Sequence, residues 1–123
     1  MAGHRRMRRV NQLLLEEIAR LVRRELKDPR VRTVTVTGVE TTPDLMHATV
    51  YVRTLDDRVG AEEAVEGLEH ASGFIRRELG RELHLRRIPE FRFEVDRTLE
   101  RARRIESLLQ EARGHEPGDP DVD

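Results

Sequence analysis

The sequence predicts an α+β protein, a two-layer sandwich in which helices cover one face of a small sheet. Apolar residues recur at three- and four-residue steps over 5–27, which is the period of an amphipathic helix. Two stretches, 33–40 and 46–53, alternate apolar and polar residues as strands do. Because strands with one apolar face need a helical layer against it, we expect one domain over 1–113, followed by a tail at 114–123.

The first predicted helix has an apolar side and a charged side. Its apolar side carries Met7, Val10, Leu14, Ile18 and Leu21. We expect Asp28-Pro29 to end it, because the residue before a proline disfavours the helical conformation.

The two strands that follow are expected to form an antiparallel hairpin. Alternation is strict over residues 33–37, and Gly38 then breaks it, which predicts a β-bulge at that point. Residues 42–44 (Thr-Pro-Asp) are typical of a turn, and alternation resumes over 46–53. The short connection between the strands favours antiparallel pairing.

A second helical pattern, from Ala61 to Leu79, is interrupted near its middle by Ala71-Ser72-Gly73. Glycine inside a helix costs roughly 0.5–1 kcal/mol relative to alanine, and a Ser-Gly pair is a known cause of a helix kink. The pattern therefore predicts two helices that meet at 71–73.

The rest of the chain predicts a third strand, a last helix and a disordered tail. Residues 83–89 form a basic connection, and 91–95 alternate as a strand that is reached through a helical crossover, so a mixed sheet is expected. Residues 98–112 form a last helix, with Thr98 as its candidate N-cap. The apolar residues of this helix are Leu99, Ala102, Ile105, Leu108 and Leu109. The tail at 114–123 holds four acidic residues, two prolines and two glycines, a composition typical of disorder.

Charge is segregated along the chain although the net charge is only −1. Residues 1–32 contain ten basic and four acidic residues, whereas 38–71 contain eight acidic and two basic ones. A molecule polarised in this way can present a basic surface to phosphate while staying soluble elsewhere. Of the 23 basic residues, 22 are arginines, whose planar guanidinium binds phosphate with two hydrogen bonds and stacks on bases.

Nine arginines are the candidate RNA-binding residues. They are Arg5, Arg6, Arg8, Arg9, Arg76, Arg77, Arg81, Arg86 and Arg87. The first four are favoured for phosphate contact because no acidic residue precedes Glu16. The alternative is a solvated helix end for the first four arginines and i,i+4 pairing within the helix for the three that follow the kink. For Arg86 and Arg87, RNA contact and a solvated surface are evenly matched. The predicted kink residues, Ala71, Ser72 and Gly73, first shape the packing and then orient the helix that carries Arg76.

Several classes of function are not supported by the composition. The chain has no cysteine, and its five histidines do not have metal-ligand spacing, so no metal site is expected. No apolar run approaches the roughly 20 residues of a membrane span, and no signal-peptide pattern is present, so we expect a cytoplasmic protein. The acidic pairs Asp56-Asp57 and Glu62-Glu63 are interpreted as solvated surface. With four aromatic residues, base stacking on an aromatic platform is not expected.

The predicted order, α-β-β-α-kink-α-β with an added C-terminal helix, resembles the bacterial type of KH domain, an RNA-binding fold. KH domains usually carry a GxxG loop between the paired helices. Here Ala71-Ser72-Gly73 stands at the corresponding place, and no GxxG occurs in the chain.

More specifically, the chain resembles the ribosome-binding factor A family of bacterial small-subunit assembly factors. The matching residues are Arg9-Val10; the run from Glu25 to Val31; Val34 to Thr37 with Val39-Glu40; Asp44-Leu45; Ala48 to Val52; Leu68, Ala71 and Gly73 to Arg76; and Leu85-Arg86, Pro89-Glu90, Phe93 and Asp96. They span roughly residues 9–110 in the order and spacing of the family.

The resemblance implies a KH-like protein with an Ala-x-Gly kink that binds the free 30S subunit during late maturation. It implies help with processing of the 16S rRNA 5′ end, a role in growth in the cold, and no catalysis, cofactor or metal. The expected partners are the 30S subunit and 16S rRNA, with ribosomal proteins and an assembly GTPase as further candidates, and the protein is expected to be a monomer. We expect the basic N-terminal helix and the helix after the kink to bind rRNA.

Two other functions remain open from the sequence. One is a generic KH module that binds single-stranded RNA, against which the missing GxxG argues. The other is a protein–protein adaptor that works independently of the ribosome and uses the long amphipathic helices.

Overall fold

A computed structural model describes residues 2–55 and 59–114, with side chains described from residue 5 onward. The predicted element order is confirmed. The elements are α1 (Ala2–Arg24), a 3₁₀ turn (Pro29–Val31), β1 (Val34–Thr41), β2 (His47–Thr54), α2 (Ala61–His70), α3 (Ser72–Glu82), β3 (Glu90–Val95) and α4 (Thr98–Gly114). Gly114, which was assigned to the tail, closes α4. The pair Asp56-Asp57 and residues 115–123 lie outside the described residues.

The first helix ends earlier than predicted, at Arg24 and not at residue 27. The prediction that Asp28-Pro29 ends α1 was wrong, because these residues begin the 3₁₀ turn. The Asp28 carboxylate caps this turn by accepting a 2.9 Å hydrogen bond from the backbone N–H of Arg30. Proline suits the first position of such a turn, where its missing N–H would have had no partner.

The three strands form one sheet in the order β1-β2-β3. The β1–β2 pair is antiparallel and the β2–β3 pair is parallel, so the expected hairpin and mixed sheet are both confirmed. The register between β1 and β2 shifts between Val36 and Gly38. Thr37 is therefore the extra residue of a bulge, at the place where the break in alternation predicted one.

The core lies between one face of the sheet and three helices. The sheet contributes Val50, Val52 and Phe93, and the helices contribute Leu14, Ile18, Leu21, Leu68, Ile75 and Leu79, all buried. Burying each such side chain contributes about 1.5–3 kcal/mol. Because Thr49, Tyr51 and Arg53 alternate with the buried residues of β2, they lie on the face that the helices leave open.

The kink between α2 and α3 is centred on Ala71. The backbone N–H of Ala71 donates to the carbonyls of both Gly67 (3.2 Å) and Leu68 (3.1 Å), and its own φ and ψ are −89° and 0°. A methyl group at Gly73 would meet no heavy atom within 4 Å. The predicted kink is therefore confirmed, but the backbone of Ala71 makes it, and packing does not require a glycine at 73.

Gly67, on α2, allows the 3₁₀ turn to pack closely against that helix. A Cβ atom there would lie 3.1 Å from Cγ1 of Val31 and 3.3 Å from Cβ of Arg30. Arg30 also links the turn to α2 through its charge. It forms an ion pair with Asp28 (2.7 Å), next to the turn, and a longer one with Glu66 of α2 (3.6 Å). The turn is thus tied to α2 by both packing and charge.

The last helix is present as predicted, but none of its apolar residues is buried within the described part of the chain. Leu99, Ile105, Leu108 and Leu109 are each between 49% and 58% exposed, and α4 contains no buried residue. Its N-terminus is capped by the Asp96 carboxylate, which accepts a 2.9 Å hydrogen bond from the N–H of Thr98. The expectation of Thr98 as the N-cap was therefore wrong.

Candidate nucleic-acid interface

The start of α1, the β1–β2 turn and the connection between α3 and β3 enclose a groove of about 490 Å³, which we call the basic groove. Its guanidinium groups belong to Arg6, Arg86 and Arg87, and its apolar lining to Val10, Leu45, Leu85 and Pro89, with Asp44 at one edge. The three arginines are exposed, whereas Val10 and Pro89 are buried. The groove therefore combines an apolar interior with basic edges.

Helix geometry explains why only one of the four N-terminal arginines lines the basic groove. Arg6 and Val10 are four residues apart and so lie on the same side of α1. Val10 is anchored in the core, which holds Arg6 beside it. Arg5, Arg8 and Arg9 are exposed and do not line the groove.

The β1–β2 turn supplies the second wall. The N–H of Leu45 donates to the carbonyl of Thr42 at 2.8 Å and closes the turn. Hydrogen bonds from the Thr42 hydroxyl (2.6 Å) and the Met46 N–H (3.0 Å) to Oδ1 of Asp44 hold the pKa of that carboxyl below its usual value. Asp44 is therefore ionised at neutral pH and rigidly placed at the edge of the groove.

Leu45 has a φ of +60°, the only positive value for a non-glycine residue in the described part of the chain. The position after a turn of this kind is usually glycine, because a side chain is disfavoured in the left-handed region. Sequence reasoning recognised the turn at 42–44 but missed Leu45. The available signal was the absence of glycine or asparagine at the residue that follows the turn.

The third wall is the connection at 83–89, which Arg76 holds in place. The Arg76 guanidinium donates to the carbonyls of Pro89 (Nε, 3.2 Å) and Ile88 (Nη2, 3.2 Å). Arg76 was predicted to contact RNA; two of its five N–H donors are directed at backbone carbonyls of the same chain, and its side chain is exposed. It positions the segment that carries Arg86 and Arg87, a role that the sequence pattern did not indicate.

The other predicted arginines of α3 lie outside the basic groove. Arg77 and Arg81 are exposed, and Nη1 of Arg81 lies 3.6 Å from Oε1 of Glu78. A pair this exposed contributes little to stability and leaves both residues accessible.

The arginines of the basic groove have no ion pair or hydrogen bond with any described residue. Arg20 and Arg30, in contrast, pair with Glu17 (2.8 Å) and Asp28 (2.7 Å). Within the described part of the chain, the guanidinium groups of Arg6, Arg86 and Arg87 thus have donors available for a ligand, and phosphate is a ligand that such groups bind with two hydrogen bonds.

The kink forms a different surface. A shallow depression of about 340 Å³ there is lined by Leu26, Ala71 and Phe74, together with the charged residues Glu25, Lys27 and Asp28. Arg6 and Arg24 are 18 residues apart on α1, or about 27 Å at the rise of an α-helix. The first turns of α1 therefore lie far from the kink, and the fold brings Arg6 close to Arg86 and Arg87.

The described residues also bear on two other features, a metal site and a membrane span. Among them, no group of three or more histidine, aspartate or glutamate side chains is placed to hold a metal ion. No helix in the described ranges is both long and apolar enough to cross a membrane.

Comparisons with known proteins agree on one family. The family model described as ribosome-binding factor A matches residues 6–109. A ribosome-binding factor A from Thioalkalivibrio sulfidiphilus is 44% identical over 107 residues, which cover 87% of this chain and 83% of the relative.

Solved structures give the same result for the fold. The crystal structure of ribosome-binding factor A from Thermus thermophilus matches with a TM-score of 0.69 and 26% identity, covering 75% of this chain and 97% of the other. A homology model of the Thermus thermophilus factor, fitted into the cryo-EM map of a complex with 30S, matches with a TM-score of 0.60 and 28% identity. That match covers 70% of this chain and 90% of the other. The fold is thus the KH-like α+β fold that the sequence predicted.

Proposed function

Because the chain belongs to the ribosome-binding factor A family, we propose that it binds the free 30S ribosomal subunit and assists late maturation of 16S rRNA. The observation that carries this proposal is the basic groove, where three arginines without protein partners among the described residues converge from distant parts of the chain. The relative from Thermus thermophilus that was fitted into a map of a 30S complex supports the choice of partner.

The role that we propose is not catalytic. Binding of the arginines to rRNA phosphates lowers the free energy of the rRNA conformer that fits the protein, and the population shifts toward that conformer. Processing of the 16S 5′ end then becomes easier because its substrate conformation is more populated. The same effect accounts for a role in the cold, where misfolded RNA conformers exchange slowly.

The partners in this proposal follow from the same argument. 16S rRNA supplies the phosphates, and neighbouring ribosomal proteins and an assembly GTPase are candidates for contacts with the acidic residues and for release. The protein acts as a monomer in the cytoplasm, where subunits mature. The predicted arginines Arg5, Arg8, Arg9, Arg77 and Arg81 are proposed as additional, solvent-facing phosphate contacts around the basic groove.

The test is co-sedimentation of the purified protein with 30S subunits over a range of salt concentrations. Wild type is expected to migrate with free 30S at low salt and to be absent from 70S ribosomes. The double variant Arg86→Gln/Arg87→Gln is expected to bind at least tenfold more weakly, because two phosphate contacts are lost. The matched control is Arg103→Gln/Arg104→Gln, which removes the same charge from exposed α4. Equal losses in the two variants, with native circular-dichroism spectra, would contradict the assignment of the basic groove.

A second candidate function is an adaptor that binds another protein independently of the ribosome. The exposed apolar residues of α4, such as Ile105 and Leu109, are the observation that favours it. Treatment of the lysate with RNase separates the two functions. An adaptor complex persists after RNase, whereas a complex built on rRNA phosphates is lost.

A further inference from the structure

We propose that the basic groove is a binding site for one unstacked nucleotide of single-stranded RNA, with the base against the apolar lining and the phosphates on the arginines. This inference rests on the proposed function, because it names what the same surface takes from the rRNA. The apolar wall that the base contacts is Leu45 and Leu85, and the phosphate donors are Arg6, Arg86 and Arg87.

The shape of the basic groove fits a nucleotide better than a duplex. Its volume of about 490 Å³ lies within the range of sites that enclose small ligands, about 300–1,000 Å³. Bases inside a duplex are stacked and paired, so their faces do not reach into a concave site. A base in a loop or at a strand end is free to enter, and single-stranded positions are where proteins usually recognise RNA bases.

The lining divides the basic groove into an apolar part and a charged part, as a nucleotide does. Leu45 and Leu85 are half-buried and pack against the core, so they present a fixed aliphatic surface. The arginines are exposed and have no partner among the described residues. No aromatic side chain of the described chain lines the groove, so aliphatic contact and stacking on a guanidinium plane replace aromatic stacking.

Asp44 adds a group that distinguishes RNA from other anions. Oδ1 of its carboxylate accepts hydrogen bonds from the Thr42 hydroxyl and the Met46 N–H. A carboxylate has about four lone-pair sites, so Asp44 can accept a further hydrogen bond, and a ribose 2′-hydroxyl or an exocyclic amino group of a base can donate one. A phosphodiester group has no such donor and is repelled by the carboxylate, so Asp44 favours the sugar or the base edge over the backbone phosphate.

The backbone of Leu45 provides an independent observation. Leucine occupies a left-handed position that glycine would adopt without strain. Strained residues of this kind persist where their surroundings hold them, and they cluster at binding sites. Here the strained conformation keeps a leucine side chain on the wall of the groove, where glycine would leave a gap.

The test is an NMR titration of the 15N-labelled full chain with a single-stranded RNA hexamer, the matching RNA duplex, the DNA hexamer and inorganic phosphate. The amides of Leu45 and of residues 85–87 are expected to shift with the RNA hexamer. Compared with the RNA hexamer, the duplex is expected to bind at least tenfold more weakly and the DNA hexamer at least threefold more weakly. Equal shifts with phosphate alone, or equal affinity for the duplex, would overturn the proposal. So would shifts caused by an acidic peptide and not by RNA.

Variants separate the base contact from the charge contact. Leu45→Gly is expected to weaken hexamer binding at least fivefold without changing its salt dependence. The thermal midpoint of unfolding is expected to change little, because relief of the left-handed strain offsets the lost packing of a half-buried leucine. Arg86→Gln/Arg87→Gln is expected to lower the salt slope by about 0.7 per arginine. The control is Leu55→Gly, which removes a leucine that is 76% exposed and lies outside the basic groove. Equal affinities of Leu45→Gly and Leu55→Gly would overturn the role of the wall.

The outcomes also distinguish this inference from the proposed function. If wild type binds 30S but the hexamer shifts no groove amide, the nucleotide site is refuted and the proposed function stands. If the hexamer shifts the groove amides but 30S is not bound, the nucleotide site is supported and the proposed function fails.

Discussion

The hydroxyl of Thr37 donates a 2.5 Å hydrogen bond to Oδ2 of Asp96, which is 59 residues further along the chain. Thr37 is the extra residue of the β1 bulge, and Asp96 directly follows β3. The other carboxylate oxygen of Asp96 caps α4 by accepting from the N–H of Thr98 at 2.9 Å. One carboxylate therefore joins the bulge in the first strand to the start of the last helix.

This carboxylate predicts a pH dependence of stability. Hydrogen bonds from Thr37 and Thr98 lower the pKa of Asp96 from 3.8 to about 2. A pKa lowered by folding stabilises the protein above the unfolded pKa, and this contribution is lost as the pH falls from about 4 to about 2. Because Asp96 is partly exposed, we expect this contribution to the free energy of unfolding to be about 1–2 kcal/mol.

Asp96→Asn is therefore expected to lower the free energy of unfolding by about 1–2 kcal/mol at pH 7 and to have much less effect near pH 2. Urea unfolding at pH 7, 4 and 2.5 measures this, with the exposed Glu106→Gln on α4 as the control. A difference between wild type and Asp96→Asn that stays constant over this pH range would contradict the linkage.

A second hydrogen-bonded pair joins α1 to the end of β1. Oδ1 of Asn11 accepts from the N–H (3.1 Å) and the hydroxyl (2.7 Å) of Thr41, which is only 6% exposed. Asn11→Ala leaves both buried donors without this acceptor and is expected to cost about 1–3 kcal/mol in chemical denaturation. Its neighbour Gln12 is exposed and bonds to Glu16 on the same helix, so Gln12→Ala is expected to cost under about 0.5 kcal/mol.

Two helical glycines are expected to respond in opposite directions to alanine. Gly67→Ala places a methyl 3.1 Å from Val31 and 3.3 Å from Cβ of Arg30, so the 3₁₀ turn must shift, and we expect a loss of about 1–2 kcal/mol. A methyl at Gly80 meets nothing within 4 Å, so Gly80→Ala is expected to stabilise by about 0.5–1 kcal/mol. Thermal midpoints measured side by side test both. A stabilised Gly67→Ala would show that the turn does not depend on this contact.

Variants of the adjacent residues Arg76 and Arg77 compare an arginine that bonds to the backbone with one that has no partner among the described residues. Arg76→Gln removes two hydrogen bonds to the carbonyls of residues 88 and 89, so we expect up to about 1 kcal/mol of destabilisation and an unchanged salt slope of 30S binding. Arg77→Gln is expected to leave stability unchanged, because Arg77 has no partner among the described residues. If Arg76→Gln lowers the salt slope and leaves stability intact, Arg76 contacts phosphate after all.

Local patterns predicted most of the fold. Four features could be predicted because each depends on residues that are neighbours in the sequence. They are the apolar period of α1, the alternation of the strands, the bulge next to Gly38 and the break at 71–73. The predictions were wrong or incomplete where one local sequence signal is compatible with two different structures. Asp28-Pro29 signals the end of one helix and the start of a turn equally well, and the apolar pattern of α4 does not say whether anything covers it.

The element order, the KH-like class, the family and the presence of two basic blocks all follow from the amino-acid sequence. Which arginines act together depends on the folded arrangement. Arg6 meets Arg86 and Arg87 because the first helix crosses the end of the sheet where β3 begins, whereas Arg76 is directed at backbone carbonyls. Secondary structure follows from local periodicity, while the pairing of a charge depends on which distant residues the folded core brings within hydrogen-bonding distance.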